Sequence, residues 1–101
     1  MKIAICTDED KKKSSVSEVF GRCKYFAVYD SGDKSLKFLK NPGDSSSQGA
    51  GIKAGQLLID KEVQKVYCRN IGPNAERILK GSNIDIEISK ERTLEEIINK
   101  L

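Results

Sequence analysis

The chain has 101 residues, of which 38% are hydrophobic and 33% charged, a balance typical of a single folded domain over residues 1–101. Histidine is absent, which excludes a histidine-dependent hydrolase and a zinc site with histidine ligands. The net charge is only +3, and we interpret the one basic run, residues 11–13, as a solvated loop rather than a nucleic-acid patch.

The three cysteines and the short apolar N-terminus indicate a cytoplasmic protein. No CxxC motif or adjacent cysteine pair occurs, and an odd count argues against a disulfide framework. The apolar run at residues 3–6 is too short for a signal peptide or a membrane span, and no later run approaches the length of a span. We therefore expect no membrane association.

The first half of the chain predicts a central strand followed by a hairpin. Residues 2–6 carry Ile3, Ala4 and Ile5 without alternation, which favours a strand covered on both faces. The spacing Ser15 to Glu18 is that of a capping box for one helical turn ending near Gly21, and an ordinary polar loop is the alternative. Residues 24–30 and 34–40 flank a turn sequence, and the lysines of the second run predict an edge strand.

The second half predicts alternating helices and strands. Residues 41–49 carry no apolar side chain and predict a mobile surface loop, and residues 50–61 predict an amphipathic helix. A buried strand over 63–68 precedes Gly72 and Pro73, where a helix begins, and Gly81 is a candidate left-handed cap. Isoleucines at 84, 86 and 88 alternate as in an edge strand, and Thr93 opens a final helix with a capping box.

This order predicts an α/β domain with a mixed sheet and helices on both faces. Ligands bind such sheets beyond the carboxyl ends of parallel strands, where helix N-termini attract anions. The turn from Asn70 to Asn74 lies at such an end, so we look for function there.

Four sets of residues form one recognisable pattern: residues 1–5 with Thr7 and Asp8, the run from Ser17 to Arg22 with Tyr25 and Phe26, residues 49–51 preceded by 41–43, and the Asn-Ile-Gly-Pro-Asn-Ala turn at 70–75. Together they resemble the dinitrogenase iron-molybdenum cofactor biosynthesis family, which includes NifX and the C-terminal domain of NifB. The resemblance implies a ribonuclease-H-like, three-layer α/β/α fold whose five strands have the order 3-2-1-4-5, with strand 2 antiparallel. Val19 and residues 45–47 stand where family members often carry histidines.

The resemblance also implies a non-enzymatic accessory role. Family members are implicated in binding or carrying iron-molybdenum cofactor and related metal-sulfur clusters, and one subgroup binds a molybdenum-copper sulfide. The implied partners are metallocluster assembly proteins, and we expect a monomer or weak dimer. Nuclease activity is not expected, because the first strand has no carboxylate to bind a divalent metal.

Two sets of residues are candidates for the site. Cys6, Cys23 and Cys68 fall at one edge of the expected sheet and are candidate thiolate ligands for a cluster, with Cys23 the most exposed; the alternative is that they are small buried hydrophobes. The candidate cofactor-binding residues are Arg22, Gly49, Gly51, Arg69, Asn70, Gly72 and Asn74. The two arginines could contact an anion or form surface ion pairs.

Two other functions compete with the cluster carrier. One is an anion or nucleotide module that uses the glycine-marked helix starts, although neither matches a P-loop or a GxGxxG motif. The other is an adaptor domain beside an iron-sulfur assembly ATPase, with the serine-rich loop ordering on contact.

Overall fold

The computed structural model describes residues 1–43 and 49–101, which form one five-stranded mixed sheet flanked by helices. The strands are β1 (Lys2–Thr7), β2 (Tyr25–Asp30), β3 (Ser35–Lys40), β4 (Lys65–Cys68) and β5 (Asp85–Ile88). Their order is β3-β2-β1-β4-β5, with β2 antiparallel to both neighbours and β4 parallel to β1 and β5. This confirms the expected strand order and the antiparallel second strand.

Strand β1 lies at the centre because both of its faces are apolar. Ala4 and Cys6 belong to the core on one face of the sheet, and Ile3 and Ile5 belong to the core on the other. All four are at most 4% exposed. The absence of alternation in the sequence therefore reflects burial on both sides, as predicted.

Within the described residues, three helices and one short turn cover the sheet: α1 (Ala50–Asp60), α2 (Pro73–Gly81), α3 (Leu94–Asn99) and a 3₁₀ turn (Phe20–Arg22). Helices α1 and α2 pack on the face that carries Ala4 and Cys6, whereas α3 packs on the opposite face. The layers are therefore α/β/α, as expected. The ribonuclease-H-like assignment stays a prediction.

The predicted helix starts agree with the structure better than the predicted helix end does. Pro73 is the first residue of α2, and the Thr93 hydroxyl accepts a hydrogen bond of 3.2 Å from the Glu96 amide at the start of α3. The prediction for Gly81 is wrong: it is the last helical residue, and Asn83, with φ of 60°, takes the left-handed conformation. Asparagine tolerates that region better than most residues, which allows the helix to continue through the glycine.

The capping box predicted at Ser15 is also wrong. Ser15 pairs with Thr93 in an isolated bridge, and the Val16 amide donates to the Arg92 carbonyl over 2.8 Å. The helical turn begins later, at Phe20, after an extended Val19. Long-range backbone hydrogen bonds therefore replace the local cap and hold this segment in an extended conformation.

Asn41 anchors the start of the predicted mobile loop, of which residues 44–48 lie outside the described part. It is 5% exposed, and its amide nitrogen donates to the carbonyls of Gly21 and Cys23 at 3.1 and 2.8 Å. Its side-chain oxygen accepts from the Gly43 amide at 2.9 Å. Asn41 and Gly43 are thus buried and the segment is fixed to the 3₁₀ turn at its start, which differs from the mobile surface loop that its polar composition predicted.

We expect Asn41→Ala to lower the free energy of unfolding by about 3 kcal/mol, because it leaves buried carbonyl and amide groups unpaired. Asn41→Asp keeps the acceptor but places a carboxylate against two carbonyl oxygens, so it should cost at least as much. Urea unfolding measures both variants. Asn99→Ala, at the exposed end of α3, is the control, with an expected change below about 0.5 kcal/mol. Equal stability of the Asn41 and Asn99 variants would contradict this role.

Candidate functional site

A pocket of about 280 Å³ opens where β1 and β4 end. Three segments line it: Val19, Gly21 and Arg22 from the 3₁₀ turn, residues 49–52 at the start of α1, and residues 72–75 at the start of α2. The volume is near the lower end of the ~300–1,000 Å³ typical of small-molecule sites. The pocket can therefore enclose a small ligand or one face of a larger one.

Small residues allow these three segments to meet at backbone distance. A β-carbon on Gly21 would lie 2.9 Å from the Gly51 nitrogen, and one on Gly51 would lie 3.0 Å from the Ala75 β-carbon. The Phe20 amide donates to the Asn70 carbonyl over 3.0 Å and ties the 3₁₀ turn to the loop before α2. The close contacts bring the N-termini of α1 and α2 to one pocket.

Both helix starts at the pocket lack a side-chain cap among the described residues. The N-cap of α1 is Gly49, with a left-handed φ of 69°, and the N-cap of α2 is Gly72. Helix α3, away from the pocket, has the Thr93 cap instead. First-turn amides without a cap, at the positive end of the helix dipole, are suited to binding an anion.

The charges around the pocket reinforce this preference. Arg22 lines it, and among the described lining residues there is no Asp or Glu. Glu76, the acidic residue in the first turn of α2, lies 3.5 Å from the Lys80 ammonium and is not a lining residue. The pocket therefore presents amide hydrogens and a guanidinium, which favours an anionic ligand.

The structure brings together most of the predicted cofactor-binding residues. Those that line this pocket are Arg22, Gly49, Gly51, Gly72 and Asn74. Arg69 and Asn70 instead line an adjoining pocket of about 250 Å³. Val19 lines both pockets. That these residues bind a cofactor stays a prediction.

Sequence reasoning missed several lining residues, of which Gly21 and Ala75 matter most. Their contribution is a short distance between backbones rather than a functional group. The small side chains within a Phe-Gly-Arg turn and a Pro-Asn-Ala helix start were the available signal. A pattern read along one segment does not say which other segment packs against it.

The three cysteines lie in the hydrophobic core rather than in the pocket. Cys6, Cys23 and Cys68 are each at most 1% exposed and belong to the cluster beneath α1 and α2. The expectation that Cys23 is exposed is therefore wrong: its thiol donates to the Phe20 carbonyl over 3.2 Å. The alternative that these residues are small hydrophobes closing a core agrees with their packing.

The environment of the thiols favours their neutral form. Burial, together with the neighbouring Cys23, holds the pKa of Cys6 well above its ordinary value, and burial raises the pKa of Cys68 to about 11. Within residues 1–43 and 49–101, no group of three cysteine or acidic side chains is arranged to hold a metal ion. The three-thiolate site therefore stays a prediction that this geometry does not support.

We expect the native thiols to resist alkylation, because thiolate is the reactive form and the sulfurs are buried. Iodoacetamide at pH 8 followed by mass spectrometry should modify them only after unfolding. Since the pKa of Cys68 rises from 9.0 to about 11 on folding, the unfolded chain releases its proton first, and stability should fall from pH 9 to pH 11. Urea unfolding at pH 8 and 10 checks this slope, and Cys68→Ala should reduce it. Rapid alkylation of the folded protein would contradict the prediction.

Comparison with known proteins gives one family and a group of similar structures. The family model described as "Dinitrogenase iron-molybdenum cofactor" matches residues 1–101. The apo form of the orange protein from Desulfovibrio gigas superposes with a TM-score of 0.88 at 24% identity, covering 98% of this chain and 84% of that one. At that identity the likeness shows the fold alone.

A second solved structure, a putative NifB protein from Thermotoga, has a TM-score of 0.85 at 28% identity and covers 97% of this chain and 84% of that one. A search of the curated proteins found no match. No helix in the described part of the chain has the length and apolar character needed to cross a membrane.

Proposed function

The chain belongs to the dinitrogenase iron-molybdenum cofactor family, and from this premise we propose that it is a non-enzymatic accessory protein that binds or carries a metal-sulfur cluster during metallocluster assembly. The cargo is iron-molybdenum cofactor or a related cluster. The observation that carries the proposal is the pocket where Arg22 and two helix N-termini with glycine N-caps converge.

An anionic cluster would bind through its outer sulfur and oxygen atoms. The amides at Gly51 and Asn74 belong to the first turns of α1 and α2, and the guanidinium of Arg22 adds a charged donor. Hydrogen bonds to charged acceptors are stronger than neutral ones. With a volume of about 280 Å³, the pocket would enclose one face of the cluster and leave the other face to a partner.

The rim of the pocket offers a contact for such a partner. Val19 and Ile52 line the pocket and are 43% and 48% exposed, so the rim carries two accessible aliphatic side chains. We propose that metallocluster assembly proteins contact this rim when they deliver or accept the cluster. Binding without protein thiolates would allow the cluster to leave without breaking a metal-ligand bond to this chain.

The test is anaerobic incubation with isolated iron-molybdenum cofactor, followed by gel filtration and analysis of iron and molybdenum. We expect stoichiometric metal on the wild type and at least about tenfold less on Arg22→Gln. Arg77→Gln, which removes the same charge from an exposed position on α2, is the matched control and should retain the metal.

A cysteine variant separates this proposal from thiolate ligation. Replacing Cys6, Cys23 and Cys68 with alanine should leave the metal content unchanged wherever the variant folds, which circular dichroism monitors. Loss of metal from a folded cysteine variant, with full retention by Arg22→Gln, would reject the pocket and favour the sulfur site. Metal-free wild type would reject cluster binding altogether.

One feature favours a second candidate function. The described lining residues include no cysteine or acidic side chain, and the chain has no histidine, so the pocket supplies no common metal ligand. The second candidate is therefore an anion-binding or adaptor domain that does not retain a cluster. Calorimetric titration with inorganic phosphate distinguishes the two: phosphate binding that depends on Arg22, without cluster retention, would favour the anion-binding domain.

A further inference from the structure

A second cavity, of about 400 Å³, lies at the opposite end of the sheet from the candidate pocket. It is bounded where β1 begins, β2 ends, β3 begins and α1 has just ended. Val28 and Leu39 supply its apolar wall, and Lys2, Lys37 and Lys61 supply its basic groups. The cavity shares no residue with the pocket of Arg22.

Strand register places an ammonium beside the apolar wall. Val28 of β2 is paired with Lys37 of β3, and Leu39 lies two residues further along β3, so these side chains share one face of the sheet. Val28 is only partly buried against the core beneath α1. An apolar surface and a positive charge therefore adjoin within one concave region.

The carboxylates in the cavity wall are already engaged by backbone groups. Asp30 accepts from the Gly32 amide at 2.9 Å and lies 3.7 Å from the N-terminal ammonium. Asp33 accepts from the Ser35 amide at 2.9 Å. Both carboxylates therefore accept hydrogen bonds from backbone amides of the hairpin turn.

The lysines that line the cavity form fewer interactions with the described residues. Lys2 donates to the Lys61 carbonyl over 3.3 Å, at the end of α1, where a cation is favourable to the helix dipole. Lys37 and Lys61 form no salt bridge with any residue in the described ranges. Lys37 also attracts the Asp33 carboxylate electrostatically, so the three lysines and two aspartates that line the cavity leave it a net charge of +1.

We propose that this cavity is a second binding site, for a small organic anion. Its phosphate or carboxylate group would lie between Lys37 and Lys61, and its hydrocarbon or aromatic body would pack on Val28 and Leu39. The lysine charges would bind the anionic group of the ligand, and the apolar wall would contact its hydrocarbon or aromatic part. The volume of about 400 Å³ falls within the range of ~300–1,000 Å³ usual for small-molecule sites.

The test is an NMR titration of the ¹⁵N-labelled full chain with phenyl phosphate, which combines an anion with an apolar ring. Inorganic phosphate and benzyl alcohol, each carrying one half of that chemistry, are the comparison ligands. We expect saturable shifts at the amides of Val28, Lys37 and Leu39, and an affinity at least about tenfold above that of either half-ligand. Equal binding of inorganic phosphate would overturn the apolar part of the proposal.

Two double variants of equal charge complete the design. Lys37→Gln with Lys61→Gln should weaken phenyl phosphate binding at least about tenfold without changing the melting temperature. Lys34→Gln with Lys53→Gln removes the same charge outside the cavity and should bind as the wild type does. Equal weakening by both pairs, or shifts confined to the amides around Arg22, would overturn the site.

Discussion

Replacing Gly72 with aspartate should strongly weaken anion binding while leaving the fold at least as stable. Gly72 is the N-cap of α2, and its φ of −78° and ψ of 162° suit any residue. A β-carbon there would meet no atom within 4 Å. The new carboxylate would accept hydrogen bonds from the first-turn amides that the proposed ligand needs, and it would repel that ligand. We expect cluster or phosphate affinity to fall at least about tenfold.

Gly72→Asp should raise the stability of the domain although it lowers the affinity for the anion. An aspartate N-cap should stabilise the domain by a few tenths of a kcal/mol relative to glycine, and its charge adds about 0.3–1 kcal/mol at the positive end of the helix dipole. Thermal unfolding by circular dichroism measures this effect, and anaerobic metal analysis or calorimetry measures binding. Gly72→Ser, which adds a cap without a charge, should lie between the wild type and Gly72→Asp in affinity.

The matched control places the same residue at the other end of the same helix. Gly81 is also in open space, so Gly81→Asp adds the same charge without approaching the pocket. Its affinity should match that of the wild type. If Gly72→Asp bound the ligand as well as Gly81→Asp does, the helix N-terminus would not be the binding element.

Replacing Gly21 with alanine should both destabilise the domain and disrupt the pocket. The added β-carbon would lie 2.9 Å from the Gly51 nitrogen and 3.0 Å from its α-carbon, and these are backbone atoms that no rotamer change can move. Overpacking of this kind typically costs about 1–3 kcal/mol. The 3₁₀ turn and the start of α1 would have to separate, which would displace Arg22 from the first-turn amides and weaken anion binding.

Gly55→Ala gives a graded comparison on α1. Its β-carbon would lie 3.3 Å from a methyl group of Ile78, a side-chain atom that can shift, and alanine favours the helix by about 1 kcal/mol over glycine. We therefore expect a stability near that of the wild type and an unchanged affinity. Urea unfolding of both variants supplies the stabilities. Equal losses in the two variants would show that the contact between Gly21 and Gly51 has no special role.

Prediction from the sequence succeeded where the chemistry of the backbone is local. The lysines of β3 indicated an edge, Pro73 indicated the start of α2, and Thr93 caps α3 through its neighbouring Glu96 amide. The two helix signals each involve residues within four positions of one another. Such interactions form in the same way wherever the element is placed in the fold.

Tertiary structure decided the features that depend on distant segments. Ser15 has the spacing of a capping box, yet it lies in an extended segment because Thr93 and Arg92 supply backbone partners from the far end of the chain. Cys23 follows an arginine-bearing turn, yet it is buried because it packs in the core beneath α1 and α2 and its carbonyl accepts a hydrogen bond from the distant Asn41. No local pattern records either contact.

The candidate pocket combines both kinds of information. The sequence by itself determined its parts, since Arg22 and the glycines at 49, 51 and 72 mark turns and helix starts whatever their surroundings. Only the tertiary structure decided that these parts form one pocket without the cysteines. The reason is that the pocket depends on the close contacts of Gly21, Gly51 and Ala75, whereas the same packing buries the thiols in the core. The chemical type of each residue is known from the sequence, whereas the distance between residues from different segments depends on the whole fold.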